Sequence, residues 1–231
     1  MCTRLIWTNL LLRFKIGKPT LISEFRMLSI PHLQLTRGQV AWALCGGQKP
    51  DRHTLDSLRY LRLLGVPFVE EEQGVGTGNR LTYTFDHLIE CAVAMYAVRR
   101  GMKPGQGAAF LVGDRQRLRK IYRKTFRDSP DGALEAPWVK SRGKTLPPLN
   151  DAEEFIRLHK NYSDLSGKIE VMTLEEVVTF QAGLGDYVER YADGVVPLVP
   201  LRRVSLEAVA WALEAPVTKP GRVRASEELK S

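Results

Sequence analysis

Polar and basic side chains recur along one side of a helix that is predicted to begin just after Asp51. Leucines at helical spacing mark the opposite side for burial, so the polar side is left to solvent or to a partner. Its candidate contact residues are Arg52, His53, Ser57, Arg59, Tyr60 and Arg62. Arginine can donate two hydrogen bonds to a guanine edge, and serine or histidine can reach a base or a phosphate. The predicted chemistry is therefore recognition of nucleic acid. The alternatives are a solvated face for Arg59 and Arg62, and core packing for Tyr60.

A glycine-rich segment follows this helix and is predicted to be the tip of a hairpin. Gly74, Gly76 and Gly78 alternate with other residues, and Asn79 and Arg80 close the segment. Asn79 and Arg80 are candidates for contact with backbone phosphate or with the adjacent minor groove. A nucleotide-phosphate cradle is the weaker interpretation, because no Gly-Lys-Ser/Thr follows.

Positive charge is concentrated in the same part of the chain. Residues 36–127 contain 16 Lys and Arg against 8 Asp and Glu, whereas residues 151–231 contain 10 against 14. The net charge of the 231 residues is +8. A basic segment followed by an acidic one indicates two modules with different partners.

Capping residues and glycines predict where the surrounding helices begin and end. Thr36 and Gln39 have the spacing of a capping box, Asp51 and Thr84 are predicted N-caps, and the following helices are expected to stop at Gly65 and Gly101. A further helix is expected over 104–126, with short strands over 66–69 and 80–83 flanking the hairpin tip.

This order of elements resembles the DNA-binding module of the MerR family. The resemblance rests first on Leu58-Arg59-Tyr60, on the helix stop at Gly65 and on a glycine-rich wing that carries Arg80. Beyond the wing, the matching residues are Tyr83, Asp86, Leu88 and the glycine that ends the next helix, Gly101. It covers about 90 of the 231 residues. The chain departs from the pattern at Leu61, where the family has a second tyrosine, and at Arg62, where it has an acid. The resemblance implies a winged helix-turn-helix that binds DNA.

The C-terminal half is predicted to be a separate small acidic α+β domain. Capping-box spacing predicts helices from Asn150 to His159 and from Thr173 to Ala182, with a strand over 168–172 between them. An extended segment is expected over 195–204, then a helix capped by Ser205. The predicted division is an ill-defined extension over 1–30, a DNA-binding domain over 31–127, a Pro/Gly-rich linker over 128–150, the acidic domain over 151–215 and a loose tail over 216–231.

Neither a cofactor nor a metal is expected, and the protein is not expected to be an enzyme. The four histidines and three cysteines lack metal-ligand spacing, and Cys45 and Cys91 are expected to be small core residues. No apolar run is long enough to cross a membrane. The basic segment 115–124 is expected either to be a solvated helix end or to grip phosphates non-specifically.

The sequence thus predicts a mainly α protein that binds double-stranded DNA, most simply a transcriptional regulator in a bacterial-type cytoplasm, at the nucleoid. A homodimer and a protein or small-molecule effector are expected at the C-terminal domain. The alternatives are an architectural or recombination factor that uses the same fold, and a protein-interaction adaptor with a winged-helix fold that has lost DNA binding.

Overall fold

The computed structural model describes residues 28–69, 72, 81–129, 133–135, 139, 154–160, 167–182 and 198–216. In these residues the protein is mainly helical, with one small antiparallel sheet of three strands. The helices are α1 (Arg37–Leu44), α2 (Arg52–Leu63), α3 (Phe85–Arg99), α4 (Pro104–Gly113), α5 (Arg115–Arg127), α6 (Leu174–Ala182) and α7 (Leu201–Leu213). The strands are β1 (Glu154–Lys160), β2 (Gly167–Thr173) and β3 (Leu198–Pro200).

Local capping sets the ends of the first helices, as predicted. The Thr36 backbone N–H donates to Oε1 of Gln39 at 2.9 Å, and the Gln39 N–H donates to Oγ1 of Thr36 at 3.3 Å. Oδ1 of Asp51 accepts the Thr54 N–H at 2.7 Å. After α2 and α3 the chain turns through the left-handed conformation at Gly65 (φ 84°) and Gly101 (φ 93°), where glycine has no Cβ to clash.

The single helix predicted over 104–126 is wrong, because the chain forms two helices that meet at Asp114. That residue has φ −121° and ψ 20° and is both the C-cap of α4 and the N-cap of α5. Gly113 immediately before it contributes no side chain to hold the two helices in line. The break lets α5 turn back across α3.

The helix predicted from Asn150 to His159 is also wrong, because residues 154–160 are the central strand of the sheet. β1 pairs with β2 on one side and with β3 on the other, both antiparallel. Ile156 is fully buried and lies opposite Val171 and Val199. Pairing on both edges and burial of this side chain outweigh the capping-box spacing. The predicted strand over 168–172 and the helix capped by Thr173 are confirmed.

The last helix begins five residues earlier than predicted. The extended segment ends at Pro200, and α7 starts at Leu201, so Ser205 lies inside the helix and is buried instead of capping it. Proline at the N-cap lacks an N–H, which a helix start does not need.

Helix α7 packs onto α1 and α3 and completes the hydrophobic core. Trp42 of α1 and Trp211 of α7 meet edge to face, with ring centroids 5.9 Å apart. Buried residues from Leu33 to Ala212 belong to one apolar cluster. The predicted boundary between 31–127 and 151–215 stays a prediction, but the two segments share a core.

The two strands predicted to flank the hairpin tip are reduced to one bridge in the described residues. Tyr83 and Leu35 exchange backbone hydrogen bonds of 2.8 and 2.9 Å. Residues 66–69 form no strand, although Val66 and Phe68 are buried in the core. The hairpin tip itself, residues 73–80, lies outside the described residues, so the wing stays a prediction.

Candidate nucleic-acid interface

Helix α2 has one buried side and one exposed side. Thr54, Leu58 and Leu61 are at most 4% exposed and anchor the helix to the core. The exposed side comprises Arg52, His53, Asp56, Arg59, Tyr60, Arg62 and Leu63. Of the predicted contact residues on this helix, Ser57 alone is half-buried. The structure therefore brings the other five together on one outward face, as the leucine spacing predicted.

Four residues of that face form a line along the helix, which we call the outer stripe: Arg52, Asp56, Arg59 and Leu63. Their spacing of four, three and four residues stacks them one above another. Nε of Arg52 lies 3.5 Å from Oδ2 of Asp56, and their side chains are 95% and 66% exposed. A pair this exposed contributes little to stability and does not tie up the guanidinium.

Tyr60 lies beside the outer stripe and is 49% exposed, which excludes the core-packing alternative; its contact with nucleic acid stays a prediction. A ring exposed to that extent is not a core residue, and its hydroxyl is available to a partner.

The start of α1 adds a cation that the sequence analysis did not single out. Burial raises the pKa of Tyr83 to about 12, and the nearby Arg62 and Arg37 partly oppose that rise. Both arginines are therefore close enough to the Tyr83 hydroxyl to influence its pKa. Arg37 is exposed and is the first residue of α1. Only the tertiary arrangement of α1 against α2 identifies it, because nothing in its local sequence does.

The remaining two predicted contact residues, Asn79 and Arg80, lie outside the described residues. Their assignment to backbone phosphate or minor groove stays a prediction.

Glu72, at the base of the predicted wing, contacts residues of α3 and α5. Its Oε2 accepts the Val69 N–H at 3.1 Å and lies 3.1 Å from Nε2 of His87; Arg119 lies 3.4 Å from Oε1. The Thr84 N–H donates to Nδ1 of His87 at 3.2 Å, so the ring proton is on Nε2 and is donated to Glu72. Burial lowers the pKa of His87, although Glu72 opposes this, and the neutral ring is favoured. Glu72 therefore acts as a structural anchor at the base of the predicted wing.

The basic segment of α5 fits neither of its two predicted roles throughout, because some of its arginines pair with acidic residues and others are exposed to solvent. Arg115 and Glu90 form a buried ion pair with Nη2 of the arginine 2.7 Å from Oε1 of the glutamate, and Arg123 pairs with Asp86 through both nitrogen donors of its fork. Arg119 joins Glu72. Arginines spaced by four thus face acids on α3 and at the wing base. The exposed basic residues of this helix are Arg117, Lys120, Lys124 and Arg127, together with Arg123, whose side chain is 54% exposed despite its pairing with Asp86.

Burial also governs the acid at the centre of this ion cluster. Glu90 is 1% exposed, and loss of hydration raises its pKa to about 7 despite the hydrogen bond from Arg115.

Cys91 is buried as predicted, and burial raises the pKa of its thiol well above the usual range, so it is not a reactive nucleophile. Cys45 is half-buried, and its Sγ lies 3.6 Å from Oγ1 of Thr54.

Within the described ranges no three His, Cys, Asp or Glu side chains are grouped as metal ligands would be. The helices of those ranges are too short or too polar to cross a membrane. The chain matches no protein-family model, and no curated protein or solved structure is significantly similar to it.

Proposed function

We propose that this protein binds double-stranded DNA in a sequence-specific manner and regulates transcription, with α2 as its recognition helix. The observation that carries the proposal is the outward face of α2, where Arg52, Arg59 and Arg62 are exposed against one acid, Asp56. A rigid helix anchored by buried leucines and presenting arginines is the element that fits a major groove.

The neighbouring elements support this use of α2. Helix α1 precedes it across a short turn, as in a helix-turn-helix, and Arg37 adds an exposed cation at the start of α1. Glu72 fixes the base of the predicted wing to α3 and α5, so that Asn79 and Arg80 would extend from a supported position. The cytoplasmic location, the wing contacts and a homodimer or effector site in 151–215 belong to the same proposal.

The adaptor alternative requires a partner protein on this face instead of DNA. If the C-terminal half covered the outward face of α2, the adaptor alternative would be favoured. Helix α7 instead packs on α1 and α3, and the outward residues of α2 are exposed. An architectural or recombination factor would use the same surface as a regulator. Genome-wide mapping of bound sites separates these two, because a regulator concentrates at promoters.

The test is titration of a labelled duplex, selected from a randomised pool, with the full chain. We expect binding at 50 mM salt that weakens by about 10³ at 200 mM if about six phosphates are contacted. Arg52→Ala and Arg59→Ala should each weaken binding to the selected duplex more than binding to a scrambled one. Arg117→Ala removes the same charge from an exposed position of α5 and is the matched control.

Two results would contradict the proposal. One is the absence of duplex binding at 50 mM salt. The other is equal affinity of the wild type, Arg52→Ala and Arg59→Ala for both duplexes, which would place any DNA contact elsewhere and favour the adaptor.

A further inference from the structure

We propose that Asp56 determines sequence specificity by accepting a hydrogen bond from a cytosine amino group, next to a guanine contacted by Arg52. This inference rests on the proposed function, since it assigns a base preference to the same helix face. Asp56 was not among the contact residues predicted from the sequence.

Position is the first argument. Asp56 is the only acidic residue in α2, and it lies in the middle of the outer stripe between Arg52 and Arg59. Its side chain is 66% exposed, and among the described residues its close ionic neighbour is the still more exposed Arg52. Any duplex that Arg52 and Arg59 contact together would therefore also meet this carboxylate.

Charge is the second argument. An ionised carboxylate only accepts hydrogen bonds, so it repels phosphate and the acceptor edge of guanine. The donors in the major groove are the amino groups of cytosine and adenine, and Asp or Glu pairs with cytosine N4. Burying the carboxylate against guanine or thymine, which present no donor in the major groove, would leave a desolvated charge without a partner, which is costly. Asp56 thus lowers affinity for wrong sequences as well as raising it for the right one.

Spacing is the third argument. Residues four apart on a helix are separated by about 6 Å along its axis. Successive bases of a strand are separated by about 3.4 Å. If α2 follows the groove, Arg52 and Asp56 face bases no more than about two steps apart. Nε of Arg52 lies 3.5 Å from Oδ2 of Asp56, so the two charged groups can reach neighbouring base pairs from the same part of the helix.

The experiment is selection from a randomised duplex pool with the full-length wild type, Asp56→Ala and Asp56→Asn. The motif selected by the wild type should contain a cytosine within two base pairs of a guanine. The preference for that guanine should be lost in Arg52→Ala. Asp56→Ala should lose the cytosine preference by about tenfold or more while binding scrambled duplex more tightly. Asp56→Asn should select adenine at that position, because the amide both donates and accepts.

Glu175→Gln is the matched control, since it removes one negative charge from an exposed position of α6 and should leave the selected motif unchanged. Circular dichroism confirms that each variant is folded. If both Asp56 variants select the wild-type motif with wild-type discrimination, the specificity proposal is wrong and DNA binding through α2 stands. If the folded wild type enriches no duplex, both proposals are wrong.

Discussion

Arginine has two opposite uses in this chain, and the difference lies in what each side chain meets. Arg52 and Arg59 extend from α2 into solvent, where their donors are available. Arg115 and Arg123 reach acids of α3 and hold two helices together. A count of basic residues treats all four alike. The positive charge available to a polyanion is therefore smaller than the sequence total over 36–127 suggests.

Removal of the buried arginine should be far more damaging than removal of its exposed neighbour. Arg115→Ala removes the hydrogen-bonded cation of the buried Glu90 and leaves it the longer contact with Arg119, at 3.6 Å, so we expect a loss of about 3–5 kcal/mol in the free energy of unfolding. Arg117 pairs with Asp114 at 2.9 Å, but its side chain is 57% exposed. Arg117→Ala should therefore lower the free energy of unfolding by at most about 1 kcal/mol. The measurement is urea unfolding at pH 8, above the pKa of Glu90 at about 7. Similar losses for the two variants would show that the cluster does not support the fold.

At the scale of the element, the helix ends follow from residues adjacent in sequence. Asp51 lies three residues before the N–H that it caps, and the turn after α3 occurs at Gly101 itself. Such signals could be predicted from the sequence because the interacting groups are always close together, whatever the rest of the chain does. The exposed face of α2 followed equally well from the leucine spacing.

The elements that could not be predicted depend on distant residues. β1 is a strand because residues 167–173 and 198–200 pair with its two edges. The local sequence of 154–160 does not identify either of these partner segments. In the same way, Arg115 turns inward because Glu90, 25 residues earlier, lies on the facing helix. Capping-box spacing and a run of basic residues gave no information on these partners.

Two glycines four residues apart should respond in opposite ways to alanine. A Cβ at Gly105, in α4, meets nothing within 4 Å, so Gly105→Ala should stabilise the protein by up to about 1 kcal/mol. Gly101 has equal space but φ 93°, so Gly101→Ala should destabilise it by about 1–2 kcal/mol through backbone strain. Urea midpoints of the two variants test this. Stabilisation by both would mean that the left-handed turn is not required.

At the scale of the whole molecule, the C-terminal helix links the acidic half to the basic half. α7 carries Leu201, Leu206 and Val209, all fully buried, into the core formed by α1 and α3. The turn between α1 and α2 is part of this contact, because a Cβ at Gly47 would lie 2.5 Å from the Trp211 ring. A fragment ending at residue 127 would expose this core, so tests of DNA binding require the full chain.

The shared core predicts that the two halves unfold together. Far-ultraviolet circular dichroism and tryptophan fluorescence, to which Trp42 and Trp211 contribute, should give one coincident urea transition. Leu206→Ala empties a fully buried site and should lower the free energy of unfolding by about 2–5 kcal/mol, shifting both signals together. Leu213→Ala removes the same atoms from a site that is 55% exposed on the same helix and should cost less than about 1 kcal/mol. Two separate transitions, with Leu206→Ala moving only one of them, would instead support the independent C-terminal domain predicted from the sequence.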